Sequence, residues 1–282
     1  MRELPDPILQ SKIDQAINYI RRFNGAVVAL SAGVDSSLVA LLAKEALGQQ
    51  VLAITGVSES LAARELEIAI KTAQEIGIKH VTVETNELQN PSYVSNSGDR
   101  CYHCKKTLYN ELRKIADRHG YEAILDGTQK DDMTDHRPGL RAAREEGVLS
   151  PLLHSGFSKN DVREAARGLG LTVWDKPAMP CLSSRIPEGQ VVTVEKLEII
   201  DRAESYVKSM VPIADLRVRN HFGTARIEVA PGERHLFFEE ELMSRIDREL
   251  RRIGFSSVAL DLKGYSKSKH PTAEVILPMS TR

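Results

Sequence analysis

Three cysteines carry the most chemical information in this chain. Two stand as Cys101-x-x-Cys104 and the third, Cys181, lies far along the sequence. Thiolates at that spacing bind metals, exchange disulfides or attack electrophiles. The second chemical signal is Ser31-Ala32-Gly33-Val34-Asp35-Ser36-Ser37, placed straight after the apolar run Ala26-Val27-Val28-Ala29-Leu30. Small residues let a backbone approach an anion. A helix opening there aims unpaired N–H groups and a positive dipole end at it. Ser31, Ser36 and Ser37 add hydroxyl donors. The loop lacks the Gly-x-x-x-x-Gly-Lys spacing of a Walker A motif. A capped helix start is the bland alternative, and the buried strand before it favours phosphate. A third segment, Asp126-Gly127-Thr128-Gln129-Lys130-Asp131-Asp132, follows another apolar run. Gly127 permits close backbone approach. Asp131 or Asp132 can hold Mg²⁺ through water; a polar turn explains each aspartate equally well. Arg137 is either a phosphate neutraliser or a surface arginine.

These groups need a scaffold, and the apolar runs predict one. Runs at 26–30 and 51–55 read as strands buried on both faces, and runs at 80–84 and 122–126 as two further strands. Helical patterns occupy 36–47, 60–76, 105–119 and 159–169, the last opened by a capping box at Ser158-Lys159-Asn160-Asp161. The stretch 86–100 reads as a polar loop. Alternating strands and helices predict a doubly wound α/β parallel sheet. The stretch 176–190, with three prolines and a glycine, reads as a crossing to a smaller C-terminal α+β domain. That domain has helices near 193–210 and 233–253, strands at 216–220, 225–230 and 257–262, and an expected antiparallel sheet. The expected domains are 1–180 and 181–282.

Composition narrows the function classes. The chain has 282 residues, with 38 Lys+Arg against 39 Asp+Glu. That balance argues against a general nucleic-acid binder, which needs a basic footprint. No run reaches the ~18 apolar residues of a membrane span. The N-terminus lacks the apolar core of a signal peptide, so a cytoplasmic location is expected, where a disulfide framework is disfavoured.

The segment Ser31–Ser37 resembles the S-G-G-x-D-S signature of the PP-loop ATP pyrophosphatases (adenine nucleotide alpha hydrolase-like), with Ala32 at the first glycine. The resemblance implies cleavage of ATP between its α- and β-phosphates with Mg²⁺, adenylating a substrate. Across nearly the whole chain SAGVDSS, GDRCYHCK, DGTQKDD, PAMPCLSSRIPEG and LRVRNHFGTARIEV resemble one branch. That branch is the pyridinium-3,5-biscarboxylic acid mononucleotide sulfurtransferases, the LarE family, which serve nickel-pincer nucleotide biosynthesis. The resemblance implies that a carboxylate is adenylated and then converted to a thiocarboxylate. It gives Cys181 the position from which some members donate their own sulfur, leaving dehydroalanine. Members with the additional Cys-x-x-Cys bind a 4Fe-4S cluster through three cysteines, here Cys101, Cys104 and Cys181. Three thiolates leave one iron of a cubane open to a non-core sulfide. A thioredoxin-like pair, a zinc site drawing on His103, and an inert Cys181 are the other readings.

Leu216-Arg217-Val218-Arg219 places two arginines on one strand face, about 6–7 Å apart. The resemblance implies that Arg217 and Arg219 bind the phosphate of a small-molecule nucleotide substrate, with Arg185 and Glu204 as weaker members of that pocket. A solvated strand face is the alternative. Trp174 serves packing or stacking. The resemblance also implies a homo-oligomer; the sulfide donor is unknown. Rival functions are a tRNA thiolase of the same superfamily and a non-catalytic nucleotide sensor. Residues 182–282 hold 16 Lys+Arg against 15 Asp+Glu, which suits a tRNA grip poorly. A sensor has no use for the cysteines, and an amidotransferase-type ligase would need an ammonia source.

Overall fold

A computed structural model describes residues 6–134, 138–213 and 215–265. Arg137 lies outside the described residues. The chain divides into two compact units, residues 1–202 and 203–282.

The first unit opens with α1 (Pro7–Ile20), whose Asp6 N-cap accepts from the Ile8 and Leu9 amides. Then follow β1 (Ala26–Ala29), α2 (Val34–Leu47), β2 (Val51–Val57), α3 (Ala63–Ile76) and β3 (Lys79–Glu84). The short α4 (Pro91–Val94) and the long α5 (Arg100–His119) lead to β4 (Ala123–Leu125). Next come α6 (Pro138–Glu145), α7 (Pro151–His154) and α8 (Lys159–Gly168). The four strands pair in parallel in the order β3-β2-β1-β4.

Alternation within β1 explains the layering. Ala26, Val28 and Leu30 join a core with Ile13, Leu38, Leu42, Ala69 and Val162, drawn from α1, α2, α3 and α8. Val27 and Ala29 face the other way and pack with Tyr109, Leu112 and Ala142 of α5 and α6. A strand covered on both faces must be apolar at every position, and β1 is buried throughout. β3 forms a sheet edge and is largely exposed.

α5 starts at Arg100, five residues before the expected Lys105, and the expected loop at 86–100 contains α4 and a 3₁₀ turn at Glu87–Gln89. Both Cys101 and Cys104 therefore lie on helix. The stretch 181–192, assigned from sequence to the C-terminal domain, is hydrogen-bonded within the first unit. The Leu182 amide donates to Ser60 O at 2.8 Å, and the Val192 amide to Val94 O at 2.9 Å. Asn96 Nδ2 donates to Pro187 O at 2.7 Å.

The boundary between units falls inside α9 (Val194–Met210). The second unit contains β5 (Leu216–His221), β6 (Thr224–Val229), α10 (Glu240–Ile253) and β7 (Ser257–Leu260). β5 and β6 are antiparallel, as expected, but β7 runs parallel to β6. The cause is the intervening helix: a crossover through α10 returns the chain in the same direction. Residues 233–237, expected to open that helix, belong instead to a 3₁₀ turn, Pro231–Phe237. Among the described residues no helix is long and apolar enough to cross a membrane.

Candidate functional site

The phosphate-type loop lies between β1 and α2. Gly33 is the N-cap of α2 in extended conformation (φ −80°) and offers no side-chain cap, so the first amides of the helix keep their donors. Ser36 Oγ accepts from the Ser31 amide at 3.2 Å and donates to Gly33 O at 3.0 Å. Ser37 Oγ donates to Gly33 O at 2.8 Å and is fully buried. Ser37 thus holds the loop's shape, whereas Ser31, Asp35 and Ser36 line a pocket of about 740 Å³. Ala32 has φ +58°, the left-handed region that explains why this loop type favours glycine there. Lys176 Nζ braces the loop from outside: it donates to Ala32 O at 3.0 Å and pairs with Glu65 at 2.5 Å.

The same pocket is lined by the segment after β4. Asp126 is a structural acceptor, taking the Thr128 amide and hydroxyl, the Tyr109 hydroxyl and the Ser150 hydroxyl at 2.7–3.1 Å. A Cβ on Gly127 would stand 2.7 Å from the Ser36 amide nitrogen and 2.9 Å from the Asp35 carbonyl carbon. Gly127 is therefore required by the opening of α2 itself. Asp131 Oδ2 accepts the Lys159 amide at 2.6 Å, and Asp132 Oδ2 accepts the Gln129 amide at 3.1 Å. Lys159 Nζ reaches Asp35 Oδ2 at 2.5 Å, while Asp35 Oδ1 is buried without a hydrogen-bond partner. In the sequence Lys159 stands only as part of a helix cap. The partner that brings it to the pocket lies 124 residues away.

Cys101 and Lys105, on the first turns of α5, line the pocket beside Ala178, Met179 and Pro180. Cys101 is exposed; Cys104 and Cys181 are half-buried. Burial, the Glu87 carboxylate and then the Cys181 and Cys101 thiols push the Cys104 thiol upward. Burial followed by Cys181 raises Cys101. The three thiols thus lie within electrostatic reach of one another. Among the described residues, no group of three or more His, Cys, Asp or Glu side chains is gathered so as to hold a metal ion.

Tyr93 shares this neighbourhood. Its hydroxyl lies 2.6 Å from Ser183 Oγ, and burial and Cys181 raise its pKa. Glu87 is buried, with Oε1 accepting from Ser58 and Ser60 at 2.6 and 2.9 Å and Oε2 without a partner. Burial pushes Tyr109 up to about 12. Tyr109, Asp126 and Cys104 hold the Lys105 ammonium above its ordinary value, against the cost of burial. Lys105 directly follows Cys104, the one signal by which the sequence could have marked it.

Arg185 is almost completely buried. Its Nη1 donates to Pro180 O at 2.6 Å, Cys181 O at 3.2 Å and Ser184 Oγ at 2.9 Å, so it shapes the turn that presents Cys181. Trp174 packs against the core, with the Arg167 guanidinium 5.1 Å from its ring. In the second unit, Glu204 is buried and accepts the Val218 amide at 3.0 Å, anchoring β5. Arg217 is buried beneath Tyr265, 3.4 Å from the ring centroid, and Arg219 Nε donates to Glu228 at 2.7 Å.

Comparison with known proteins follows the same lines. Residues 9–107 match the NAD synthase family model. An uncharacterised protein of Synechocystis is 44% identical over 93% of this chain and 97% of its own length. One of the polypeptides of the glutamine-hydrolysing GMP synthase of Pyrococcus horikoshii is 24% identical over 73% of this chain and 71% of its own. The pyridinium-3,5-bisthiocarboxylic acid mononucleotide synthase of Lactiplantibacillus plantarum is 36% identical over 93% of this chain and 94% of its own length. Similarity of that degree, over almost the full length of both chains, makes this chain a member of the LarE family.

Proposed function

We propose that the chain is an ATP-dependent sulfurtransferase acting on pyridinium-3,5-biscarboxylic acid mononucleotide in nickel-pincer nucleotide biosynthesis. The supporting observation is one pocket lined by Ser31, Asp35 and Ser36 on one side and Cys101 on another. A group-activating loop and a thiol share a cavity.

A carboxylate is a poor acyl donor because oxide leaves badly. Its oxygen attacks the α-phosphorus of ATP, the α–β bridging P–O bond breaks, and pyrophosphate departs. Ser31, Ser36 and the first α2 amides bind the phosphates, and Lys159 offsets their charge. Asp35, Asp131 and Asp132 line the pocket with hard oxygen donors, the set that Mg²⁺ takes. Asp131 or Asp132 would hold the ion through water, and it supplies further neutralisation of phosphate charge. Arg219 and Arg217 belong to the substrate's phosphate site. Attack by sulfur on the acyl adenylate then releases AMP and leaves a thiocarboxylate.

For the sulfur, Cys101, Cys104 and Cys181 would hold a 4Fe-4S cluster. The donor set fits: burial and the neighbouring thiols disfavour the free thiolates of Cys101 and Cys104, with Cys181 beside both, and a bound cation offsets that charge. The cluster would supply an open iron for a non-core sulfide.

The test is anaerobic purification with iron and sulfide analysis, followed by turnover with ATP and the biscarboxylate. Substrate-dependent pyrophosphate release, bound iron and an intact chain mass after several turnovers are expected. Loss of the mass of H₂S from Cys181 after one turnover would replace the cluster by a sacrificial cysteine. Absence of substrate-dependent pyrophosphate would overturn the function itself.

A further inference from the structure

Arg226 of β6 stands directly opposite Arg219 of β5. Like charges facing each other across an antiparallel pair are destabilising. One carboxylate offsets them: Glu228 Oε1 takes Arg219 Nε at 2.7 Å, Arg226 Nη2 at 2.6 Å and Arg226 Nε at 3.1 Å. Glu228 is nearly enclosed, with its side chain 7% exposed, whereas Arg226 keeps 35%. Asp261 adds a longer contact, 3.6 Å from Arg226 Nε. Strand alternation puts Arg217, Arg219, Arg226 and Glu228 on one face. Of the two arginines read from sequence, Arg217 is buried under Tyr265. Arg226 is the more accessible companion for Arg219.

We infer that Arg226 is a binding residue for the substrate's phosphate, acting with Arg219 as a cross-strand guanidinium pair held in place by Glu228. The inference rests on the reading that the substrate is a mononucleotide. Two guanidinium forks suit a phosphate, which accepts several N–H bonds at once. The shared Glu228 oxygen fixes both side chains before the ligand arrives, so less rotamer freedom is lost on binding.

The experiment is calorimetric titration of the full chain with three probes: pyridinium-3,5-biscarboxylic acid mononucleotide, its dephosphorylated nucleoside, and inorganic phosphate. Saturating α,β-methylene-ATP occupies the nucleotide loop throughout. Arg226→Gln is expected to weaken mononucleotide and phosphate binding roughly ten- to a hundredfold, and to leave nucleoside binding unchanged. Arg226→Lys, which keeps the charge but loses the fork, should recover part of the loss and serves as the second variant if Arg226→Gln folds poorly. Equal loss for mononucleotide and nucleoside would make Arg226 a structural residue and overturn the inference. So would phosphate affinity that neither variant changes. If the wild-type chain ignores mononucleotide and nucleoside but binds phosphate through Arg226, the anion site stands and the substrate reading falls.

Discussion

Gly33 and Gly127 are small for different reasons. At Gly33 the backbone is extended, and an added Cβ would meet only Ser31 Oγ, at 3.6 Å. Nothing in the protein forbids a side chain there, so Gly33→Val should keep its melting temperature within a few degrees. ATP-dependent pyrophosphate release should nevertheless vanish, because the side chain blocks approach to the α2 amides. Wild-type release by this variant would remove the phosphate assignment. At Gly127 the obstacle is the protein: a Cβ would press on the Ser36 nitrogen, and backbone cannot swing aside. Gly127→Ala should lower the melting temperature clearly, whether or not nucleotide is present. Sequence marked both glycines, but only the packing of two chain segments assigns their separate tasks. Ala32 is a similar case. Its left-handed φ of +58° costs roughly 1–2 kcal/mol for an L-residue. Its buried methyl returns about 0.8 kcal/mol, so Ala is tolerated where glycine would be expected.

At the scale of elements, the segment after α8 braces the loop between β1 and α2. Lys176 and Glu65 form an ion pair whose side chains are only 13% and 10% exposed, and Lys176 also bonds Ala32 O. Removing one partner strands the other charge in a poorly solvated place. Lys176→Met should therefore cost roughly 3–5 kcal/mol in denaturant unfolding. The double variant Lys176→Met/Glu65→Leu should recover most of it. If the single change is silent, the pair is solvated and the brace does not exist. The strands and most helices were legible because apolar runs and helical spacing are local signals. The brace was not. It joins residues 111 positions apart, and periodicity carries no information about such pairs. Arg185 shows the same limit: beside Cys181 it reads as a substrate ligand, yet its carbonyl partners turn it inward. The early start of α5 was hidden by the polar residues before it, so the two cysteines fell between the expected loop and the expected helix, although they share one helical turn.

At the scale of the molecule, buried titratable groups set the pH range of the metal-free chain. Burial raises Cys104, Tyr93 and Tyr109. Each is neutral when protonated, so the folded chain keeps a proton that the unfolded chain gives up first. Above roughly pH 8.5, where an ordinary thiol ionises, the folded state binds more protons and stability falls as pH rises. His80 works at the acid side. Burial lowers it, so the unfolded chain takes up a proton first below roughly pH 6.5, and stability falls as pH drops. Its geometry agrees. Thr55 Oγ1 gives its single proton to Leu30 O at 2.8 Å, so it must accept from His80 Nε2, also at 2.8 Å. Neutral His80 can supply that bond while its other nitrogen stays unprotonated. The metal-free chain should thus be most stable between roughly pH 6.5 and 8.5. Thermal unfolding followed across roughly pH 5 to 10.5 in chelator is the measurement. Cys104→Ser should flatten the alkaline fall and leave the acid side as it is, and His80→Gln should do the reverse. A Cys104→Ser profile that falls as steeply as wild type above roughly pH 9 would mean that this thiol is already ionised in the fold. Its contact with Glu87, a neighbour that should oppose the thiolate, would then need another account.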